Sequence, residues 1–371
     1  MIRILHILHS MDRGGAENAL MNYYRHIDRE EMQFDFLLTS PAKCHFEDEI
    51  LAMGGRIYRI PQMTKSKPLQ YLAALNSFFK EHKEYKIVHS HTSSKSVFPL
   101  FFAKIHGVKI RISHSHNTKS ESGINGIIRN VLKKPLLYVA NHYFACGEEA
   151  GRWLYGDDMY NLGKVRVIPN VIEGRNFNYN EDIRRKMRRN MGVNNETIVI
   201  GCTARFSLQK NHSFLLDVFA DYNKINEDSK LLLLGDGDLR KEIENKAKKL
   251  GIYEKVLFAG VVPNVADYEQ AMDFFAMTSL FEGLPLSVVE AQIAGLPCLI
   301  SNVVTNEVDL TGIISFLPIN QGTNIWIQEI ERKKGDKRRG YLREIIEAGY
   351  DAESSAKTLQ QYYKEFYNTA I

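Results

Sequence analysis

The chain has 371 residues, and 48 lysines and arginines against 44 aspartates and glutamates give it a formal net charge of +4. This length predicts two domains, each with its own core, and so small a positive excess argues against a protein whose main partner is a nucleic acid. Hydrophobic residues make up 44% and charged residues 25%, a globular composition that excludes a largely disordered chain.

Short apolar strands alternate with amphipathic helices along two stretches of the chain. The strand candidates of the first stretch are residues 2–8, 34–38, 56–60, 87–89, 109–113 and 143–145. Those of the second stretch are residues 198–203, 230–234, 255–259, 274–277 and 297–301, and an amphipathic helix over about 352–367 ends the chain. This alternation predicts two parallel α/β sheets, each covered by helices on both faces.

A polar, asparagine-rich stretch and a basic helix at 184–190 separate the two series. We therefore predict a first domain over residues 1–172, a linker over 173–195 and a second domain over 196–349. No apolar run reaches the roughly 18 residues that a membrane-spanning helix needs, and the first strand is too short for a signal peptide.

The four cysteines, Cys44, Cys146, Cys202 and Cys298, are far apart in sequence and never form a C-x-x-C pair. Such spacing is typical of free thiols in a reducing compartment and not of a zinc site or a disulfide framework. Together with the lack of a targeting segment, it predicts a cytoplasmic protein.

Two cations, Arg205 and Lys210, follow the first strand of the second series. Ligands of open α/β sheets bind outside the carboxyl ends of the strands. An arginine offers a planar fork and a lysine a compact charge, which together suit a diphosphate. An arginine and a lysine in such a loop form ordinary surface ion pairs about as often as they bind a diphosphate.

Two glutamates, Glu282 and Glu290, border a Gly-Leu-Pro turn and a helix predicted over 286–294. The free amides of the first helical turn and the helix dipole form an anion site. Glu282 lies before the helix and Glu290 about one turn inside it, so both can contact one ligand. Charged helix residues are mostly solvated, but a solvated helix would not need the apolar neighbours or the Gly-Leu-Pro turn.

The spacings Arg205-x4-Lys210 and Glu282-x7-Glu290 together resemble those of the retaining GT-B glycosyltransferases of the group 1 family, family 4 in the usual classification. The residues around these motifs most resemble those of bacterial exopolysaccharide and capsule glycosyltransferases. The same family is matched by Gly14-Gly15-Ala16-Glu17, by Leu234-Gly-Asp-Gly237 and by Pro169-Asn170. The chain departs from the family pattern after Asn170, where Val-Ile-Glu replaces the usual Gly-Val/Ile-Asp.

The resemblance implies a GT-B architecture, in which two Rossmann-like domains face each other across a deep cleft. It also implies that a C-terminal helix, about residues 350–371, crosses back to the first domain. The first domain would then hold the acceptor, and the second would hold the nucleotide sugar. Neither a metal ion nor a cofactor is expected.

The resemblance further assigns roles to single residues. Arg205 and Lys210 would hold the donor diphosphate, Glu282 the sugar hydroxyls and Glu290 the ribose, and the catalytic group would be Glu282, His116, Arg205 and Lys210. The residues expected around the donor are Gly14, Gly15, Arg205, Lys210, Gly260, Val261, Glu282, Gly283, Leu284, Pro285, Leu286, Ser287 and Glu290.

Two His-x-His units, His89-Ser-His91 and His114-Ser-His116, end strands of the first series. Residues i and i+2 of a strand share a side, so each unit could offer two imidazoles to a metal ion, as in a metal-dependent hydrolase. No carboxylate is adjacent to either unit, which argues against that function. The family resemblance instead favours His116 as the residue that faces the donor sugar, with His89, His91 and His114 on the acceptor side.

Asp236-Gly-Asp238 has the spacing of a metal-binding Asp-x-Asp motif. It follows a strand and opens a helical pattern, so we expect a βα turn and a helix cap instead.

The function expected is transfer of a sugar, with retention, from a nucleoside-diphosphate sugar to a glycan or polyprenyl-linked acceptor in bacterial surface polysaccharide synthesis. UDP is the favoured nucleotide. The basic amphipathic pattern of residues 124–137 fits a helix on an anionic membrane surface, which would make the protein peripheral. The same pattern also fits a core-facing helix with a solvated basic side. The other functions left open are a nucleotide-sugar epimerase or hydrolase on the same fold, and a catalytically silent partner in glycan assembly.

Overall fold

The computed structural model describes residues 1–12, 14–64, 66–116 and 124–370 of the chain. The chain divides into two compact units, the first formed by residues 1–172 and 351–371 and the second by residues 173–350. Within the described ranges, no helix is both long and apolar enough to cross a membrane.

The first unit contains a seven-stranded parallel sheet with the strand order β3-β2-β1-β4-β5-β6-β7. Its strands are β1 (Ile2–Leu8), β2 (Met32–Leu38), β3 (Ile57–Arg59), β4 (Ile87–Ser90), β5 (Ile110–Ser115), β6 (His142–Ala145) and β7 (Val165–Val167). Its helices are α1 (Gly15–His26), α2 (Glu47–Ala52), α3 (Pro68–Glu81), α4 (Val97–Ile105), α5 (Ile124–Val139), α6 (Glu148–Tyr155) and α7 (Asp157–Asn161). Because clusters of apolar side chains cover the sheet on both faces, the central strands are nearly continuous apolar runs.

The second unit contains a six-stranded parallel sheet with the order β10-β9-β8-β11-β12-β13. Its strands are β8 (Ile198–Thr203), β9 (Ser229–Leu234), β10 (Val256–Gly260), β11 (Phe274–Met277), β12 (Cys298–Ser301) and β13 (Ile314–Leu317). Its helices are α8 (Gly174–Phe177), α9 (Glu181–Asn190), α10 (His212–Ile225), α11 (Arg240–Lys249), α12 (Val265–Ala271), α13 (Leu286–Ile293), α14 (Asn324–Lys333) and α15 (Leu342–Glu347). The prediction of two parallel α/β sheets is confirmed.

The last helix, α16 (Ala352–Ala370), returns to the first unit and packs on α1. Leu359, Tyr363 and Phe366 are buried in the core of that unit. The predicted return of the C-terminal helix to the first domain is therefore confirmed, and its driving force is the burial of one apolar face.

Residues 173–195, predicted as a linker, fold as part of the second unit. They carry α8 and α9, and α9 packs against α12. The side chain of Asn180 caps α9 by accepting hydrogen bonds from the backbone N–H groups of Asp182 and Ile183. Helix α9 is rich in basic residues, yet Arg188 is only 1% exposed. Its guanidinium forms hydrogen bonds inside the unit, to Ala271 and Asp273.

Candidate active site

In the sheet of the second unit, the order in which successive strands are added reverses at β8. This strand pairs with β9 on one side and with β11 on the other. The loops that leave the carboxyl ends of β8 and β11 therefore begin side by side, at the point where ligands of such sheets bind. The loop after β8 carries Arg205 and Lys210, and the loop after β11 carries Glu282.

An ion pair joins these two loops. The Lys210 Nζ lies 2.6 Å from Glu282 Oε1, and the exposed fractions of the two side chains are only 19% and 8%. Gln209 adds hydrogen bonds from its Nε2 to the carbonyl of Phe281 (2.9 Å) and to Glu282 Oε2 (3.3 Å). Two predicted site residues that are 72 positions apart thus form one polar contact.

Arg205 lies in the same loop, but its side chain is 70% exposed and its Nη2 is 3.5 Å from Asp238 Oδ2. An exposed pair at this distance contributes little to stability, so the guanidinium is available to a ligand. Gly235 shapes this loop, because its φ is +129° and an added Cβ would lie 2.2 Å from the carbonyl oxygen of Ala204. Only glycine fits there without moving the Arg205 loop.

The aspartates of the Asp-x-Asp motif do not cap a helix, so that prediction is wrong. Helix α11 begins at Arg240 after Leu239, which makes no side-chain cap. Asp236 instead accepts a hydrogen bond from the backbone N–H of Gly237 (2.7 Å) within the turn. The motif forms the predicted βα turn, and Asp238 faces Arg205.

The other residues of the second unit that were predicted to contact the donor lie at strand ends and at the start of α13. Gly283 to Ser287 form the turn and the first residues of α13, and Glu290 lies one turn further along that helix. Gly260 ends β10 with a φ of +70°, and the neighbouring Val261 is 67% exposed. These residues all follow the carboxyl ends of strands in the sheet.

A second carboxyl group, Glu269 on α12, was not predicted from the sequence. It is fully buried, and its Oε2 has no hydrogen-bond partner among the described residues. Burial and the nearby Glu290 raise the pKa of Glu269 well above its usual range, and burial raises the pKa of Glu290 to about 7. A glutamate in a short helix is normally exposed to solvent, so the sequence around Glu269 gave no reason to predict its burial.

The raised pKa of Glu290 makes stability depend on pH. In the folded protein Glu290 retains a proton that the unfolded chain releases above about pH 4.5, so we expect the free energy of unfolding to fall as pH rises from about 5 to 8. Glu290→Gln should reduce this loss by about 1 to 3 kcal/mol. Urea unfolding at both pH values measures the difference. Glu242→Gln, at an exposed position, is the control, and a difference between wild type and Glu290→Gln that does not vary with pH would contradict the prediction.

The first unit has a polar pocket of about 360 Å³ where the loops after β1 and β4 diverge. His9, Glu17, His91, Lys95 and Arg129 contribute to its lining. The pocket also contains Ser94, whose buried hydroxyl has no hydrogen-bond partner among the described residues. It has the size and polarity of a small-ligand site.

The predicted glycines lie beside this pocket, at the start of α1. Gly14 precedes the first turn of the helix, and an added Cβ would lie 2.1 Å from the Glu17 carboxylate. At Gly15 an added Cβ would meet no atom within 4 Å. A side chain at Gly14 would need only a movement of the flexible Glu17 side chain, and Gly15 leaves open space.

The histidines of the two His-x-His units form a stack together with His6 of β1. His91 links His6 and His116, with ring nitrogens 3.0 Å and 2.9 Å apart. Burial lowers the pKa of His116 to about 4, against a hydrogen bond with Asn170, and lowers the pKa of His89, His91 and His114 well below the usual range. These imidazoles are therefore uncharged at neutral pH.

Two of these histidines do not fit the acceptor side predicted for them. His89 is 1% and His114 4% exposed, and the His89 ring nitrogens contact Tyr363 Oη (2.6 Å) and His114 Nδ1 (3.2 Å). The strand register turns both side chains toward the C-terminal helix. They belong to the core, and of the predicted acceptor-side histidines only His91 lines the 360 Å³ pocket.

The stack also has the nitrogen spacing of a metal site. Ligand atoms of His6, His89 and His91, and likewise of His91, His114 and His116, lie within 4.8 Å of one another. Most of these nitrogens, however, are already engaged with another ring or with Tyr363. The arrangement therefore fits a hydrogen-bonded imidazole network.

Comparison with known proteins identifies the family. The model of group 1 glycosyl transferases matches residues 183–310, and the model of glycosyltransferase family 4 matches residues 13–173. EpsF of Bacillus subtilis, which is named as a glycosyltransferase, is 36% identical over 368 residues, covering 97% of this chain and 96% of EpsF. The chain belongs to the group 1 glycosyltransferases.

Two further proteins are similar to this group 1 glycosyltransferase over most of its length. It is 25% identical over 322 residues to the Escherichia coli UDP-Gal:alpha-D-GlcNAc-diphosphoundecaprenol alpha-1,3-galactosyltransferase, covering 82% of this chain and 81% of that protein. The crystal structure of HepE from Anabaena in complex with UDP is similar with a TM-score of 0.79 at 17% identity, covering 98% of this chain and 100% of HepE. This likeness confirms the GT-B fold.

Proposed function

We propose that this glycosyltransferase moves a sugar from a UDP-sugar to an acceptor hydroxyl with retention at the anomeric carbon. The observation that carries the proposal is the Lys210–Glu282 ion pair of 2.6 Å where the β8 and β11 loops meet. A lysine for phosphate oxygens and a carboxylate for sugar hydroxyls lie next to each other there. The two ends of a nucleotide sugar need that combination.

In the proposed reaction the bond between the anomeric carbon and the phosphate oxygen breaks, and the electron pair leaves with the diphosphate. A bond forms between that carbon and the acceptor oxygen on the same face, and the acceptor proton passes to the departing phosphate oxygen. Lys210, the exposed Arg205 and the first-turn amides of α13 stabilise the negative charge that grows on the diphosphate. No metal ion enters this scheme.

Glu282 and Glu290 have distinct proposed roles. Glu282, held by Lys210 and Gln209, accepts hydrogen bonds from donor-sugar hydroxyls. Glu290 binds the ribose, and Gly260 and Val261 contact the base. Two similar proteins support UDP as the nucleotide, since one is a UDP-Gal-dependent galactosyltransferase and the other was crystallised with UDP.

We assign the acceptor to the first unit, in the 360 Å³ pocket lined by His91. We also propose a lipid-linked glycan acceptor and a role in bacterial surface polysaccharide synthesis. The relatives support both, since they include a diphosphoundecaprenol galactosyltransferase and a capsular polysaccharide biosynthesis glycosyltransferase. Gly14, Gly15 and His116 are proposed to act on the donor. Single variants of these residues would test that assignment.

The exposed apolar patch of the first unit supports contact with a membrane surface. We define it as Phe101 and Ile105 of α4 together with Ile127, Ile128 and Val131 of α5, which are 46% to 66% exposed. Lys104 and Lys134 are exposed on the same helices. Lys133 takes no part, because it lies 4.1 Å from the ring centroid of Trp153 and donates to the Trp153 carbonyl.

Charged substitutions in this patch should weaken membrane binding. Each buried apolar side chain contributes roughly 1.5 to 3 kcal/mol, so we expect Ile128→Asp with Val131→Asp to reduce binding to phosphatidylglycerol vesicles at least about tenfold. Vesicle flotation measures it, and Leu51→Asp, at an exposed leucine of α2, is the matched control. Equal flotation of wild type and the double variant would contradict a membrane role for the patch.

The function is tested by incubating the protein with UDP-sugars and a diphosphate-lipid glycan acceptor. The expected product carries the sugar in the donor's anomeric configuration, which nuclear magnetic resonance reads directly. Sugar release or epimerisation without an acceptor would indicate a hydrolase or an epimerase. Absence of UDP binding by calorimetry would favour a silent partner, and either result would overturn the proposal.

A further inference from the structure

We propose that the second unit binds a small phosphate-bearing anion in a basic pocket distinct from the Lys210–Glu282 site. The pocket measures about 450 Å³ and includes Pro297 and Ile313, which precede β12 and β13. Because the sheet is parallel, it lies at the amino-terminal edge of the strands, opposite the edge that carries the loops with Lys210 and Glu282. It belongs to neither the donor nor the acceptor assignment.

Positive charge is concentrated in the lining of this pocket. One carboxylate faces five cations, and the residues are Asp336 together with Arg332, Lys333, Lys337, Arg338 and Arg339. The local excess of four positive charges equals the formal charge of the whole chain, +4. Like charges held this close repel one another unless an anion lies between them.

Two of the five cations have carboxylate partners. Arg332 is 2.6 Å from Glu329, and Arg339 is 2.8 Å from Glu344. Their charges are thereby largely compensated. The excess positive charge therefore resides on the other three cations.

Lys333, Lys337 and Arg338 form no ion pair with a carboxylate among the described residues. Lys333 donates one hydrogen bond to the carbonyl of Ile313 (2.9 Å), which leaves two of its three ammonium hydrogens for a ligand. Burial lowers the pKa of this lysine, and a bound anion would raise it again by favouring the charged form. Lys337 is exposed at the mouth of the pocket.

Arg338 gives the pocket a rigid wall. Its guanidinium donates to the carbonyls of Glu269 (3.0 Å) and Met272 (2.8 Å) beside the end of α12, and to Ala294 (2.6 Å) at the end of α13. Burial lowers the pKa of Arg338 to about 9. An anion would contact this residue through its charge and the two lysines through hydrogen bonds, which suits a phosphate group.

The size and chemistry of the pocket indicate the class of ligand. A volume of about 450 Å³ is within the usual range of roughly 300 to 1,000 Å³ for small-molecule sites. One or two phosphate groups match the three cations that lack carboxylate partners. Such a group can come from a free phosphate compound or from a lipid headgroup, and the experiment separates the two.

The test measures pyrophosphate binding by calorimetry, with the donor site occupied by saturating UDP, for the wild type, for Lys337→Gln and for Lys333→Gln with Lys337→Gln. Loss of these charge-assisted hydrogen bonds should weaken binding roughly tenfold or more. The matched control is Lys241→Gln with Lys249→Gln, on the exposed side of α11, and thermal unfolding checks that each variant is folded. The exposed single variant keeps the test valid if the double variant is unstable.

The two phosphate sites are separated by Arg205→Gln, which should weaken UDP binding and leave the pyrophosphate affinity of the basic pocket unchanged. Phosphatidylglycerol vesicles replace pyrophosphate in a second arm, in which every protein also carries Ile128→Asp and Val131→Asp to remove binding by the apolar patch of the first unit. Binding lost only in this arm in Lys337→Gln assigns the ligand to a lipid headgroup. If Lys337→Gln and the double variant bind both probes as tightly as the wild type, the pocket is not an anion site. That result would leave the donor site unaffected.

Discussion

Replacing Glu282 by glutamine is expected to lower kcat/KM for sugar transfer by about 10² to 10³. The substitution removes the negative charge that holds Lys210 at 2.6 Å and replaces an acceptor of sugar hydrogen bonds with an amide. Transfer is measured with the UDP-sugar that gives turnover. Thermal unfolding of the variant should show that the fold persists, because the change keeps the size of the side chain.

A double-mutant cycle with Lys210→Gln sharpens this prediction. Since each residue acts through the same contact, the double variant should lose much less activity than the product of the two single losses. Glu242→Gln, on the exposed face of α11, should transfer at the wild-type rate. Transfer by Glu282→Gln within a few-fold of wild type would show that the site has been wrongly assigned.

Replacing Arg188 by methionine is expected to lower the free energy of unfolding by about 3 to 5 kcal/mol. Its Nη1 contacts Asp273 Oδ2 (3.1 Å) and the carbonyl of Ala271 (2.8 Å), and its Nη2 donates to the carbonyl of Asn194 (2.6 Å). Methionine fills a similar volume but removes these buried hydrogen bonds, and within the described part of the chain Asp273 then keeps only Arg184 and the backbone N–H of Val199 as partners. Urea unfolding followed by circular dichroism gives the value.

The neighbouring Arg189 supplies a matched control. It lies on the same helix and is exposed, so Arg189→Met removes the same charge and should change stability by less than about 0.5 kcal/mol. If the two variants unfolded at the same urea concentration, Arg188 would contribute no more to stability than an exposed residue of the same helix.

Strands in the middle of each sheet could be predicted because their chemistry is local. The segments 198–203 and 274–277 are apolar runs between polar turns, and the structure has β8 and β11 at those residues. The edge strands β7 and β13 were missed, since they have three and four residues and several are only partly buried. Runs this short and only partly buried leave a weak pattern, whereas the edge strands β3 and β10 were predicted at 56–60 and 255–259.

The basic residues also differ in how far the sequence could predict their surroundings. Lys133 belongs to the basic pattern that fitted either a lipid surface or a core-facing helix, and it packs over Trp153. Arg188 belongs to the predicted linker and is buried. Charge alone could not separate these residues from Arg205, which is 70% exposed, because the depth of a side chain depends on residues far away in the chain.

By itself the sequence determined the α/β class, the two series of strands and the loops that carry Arg205, Lys210 and Glu282. Hydrophobic periodicity and turn residues act over a few positions and so can be read along the chain. Only the tertiary structure decided that Lys210 pairs with Glu282, that His89 and His114 belong to the core, and that Glu269 lies buried near Glu290. Burial and charge partners arise from packing between distant segments, and these set the pKa of each group.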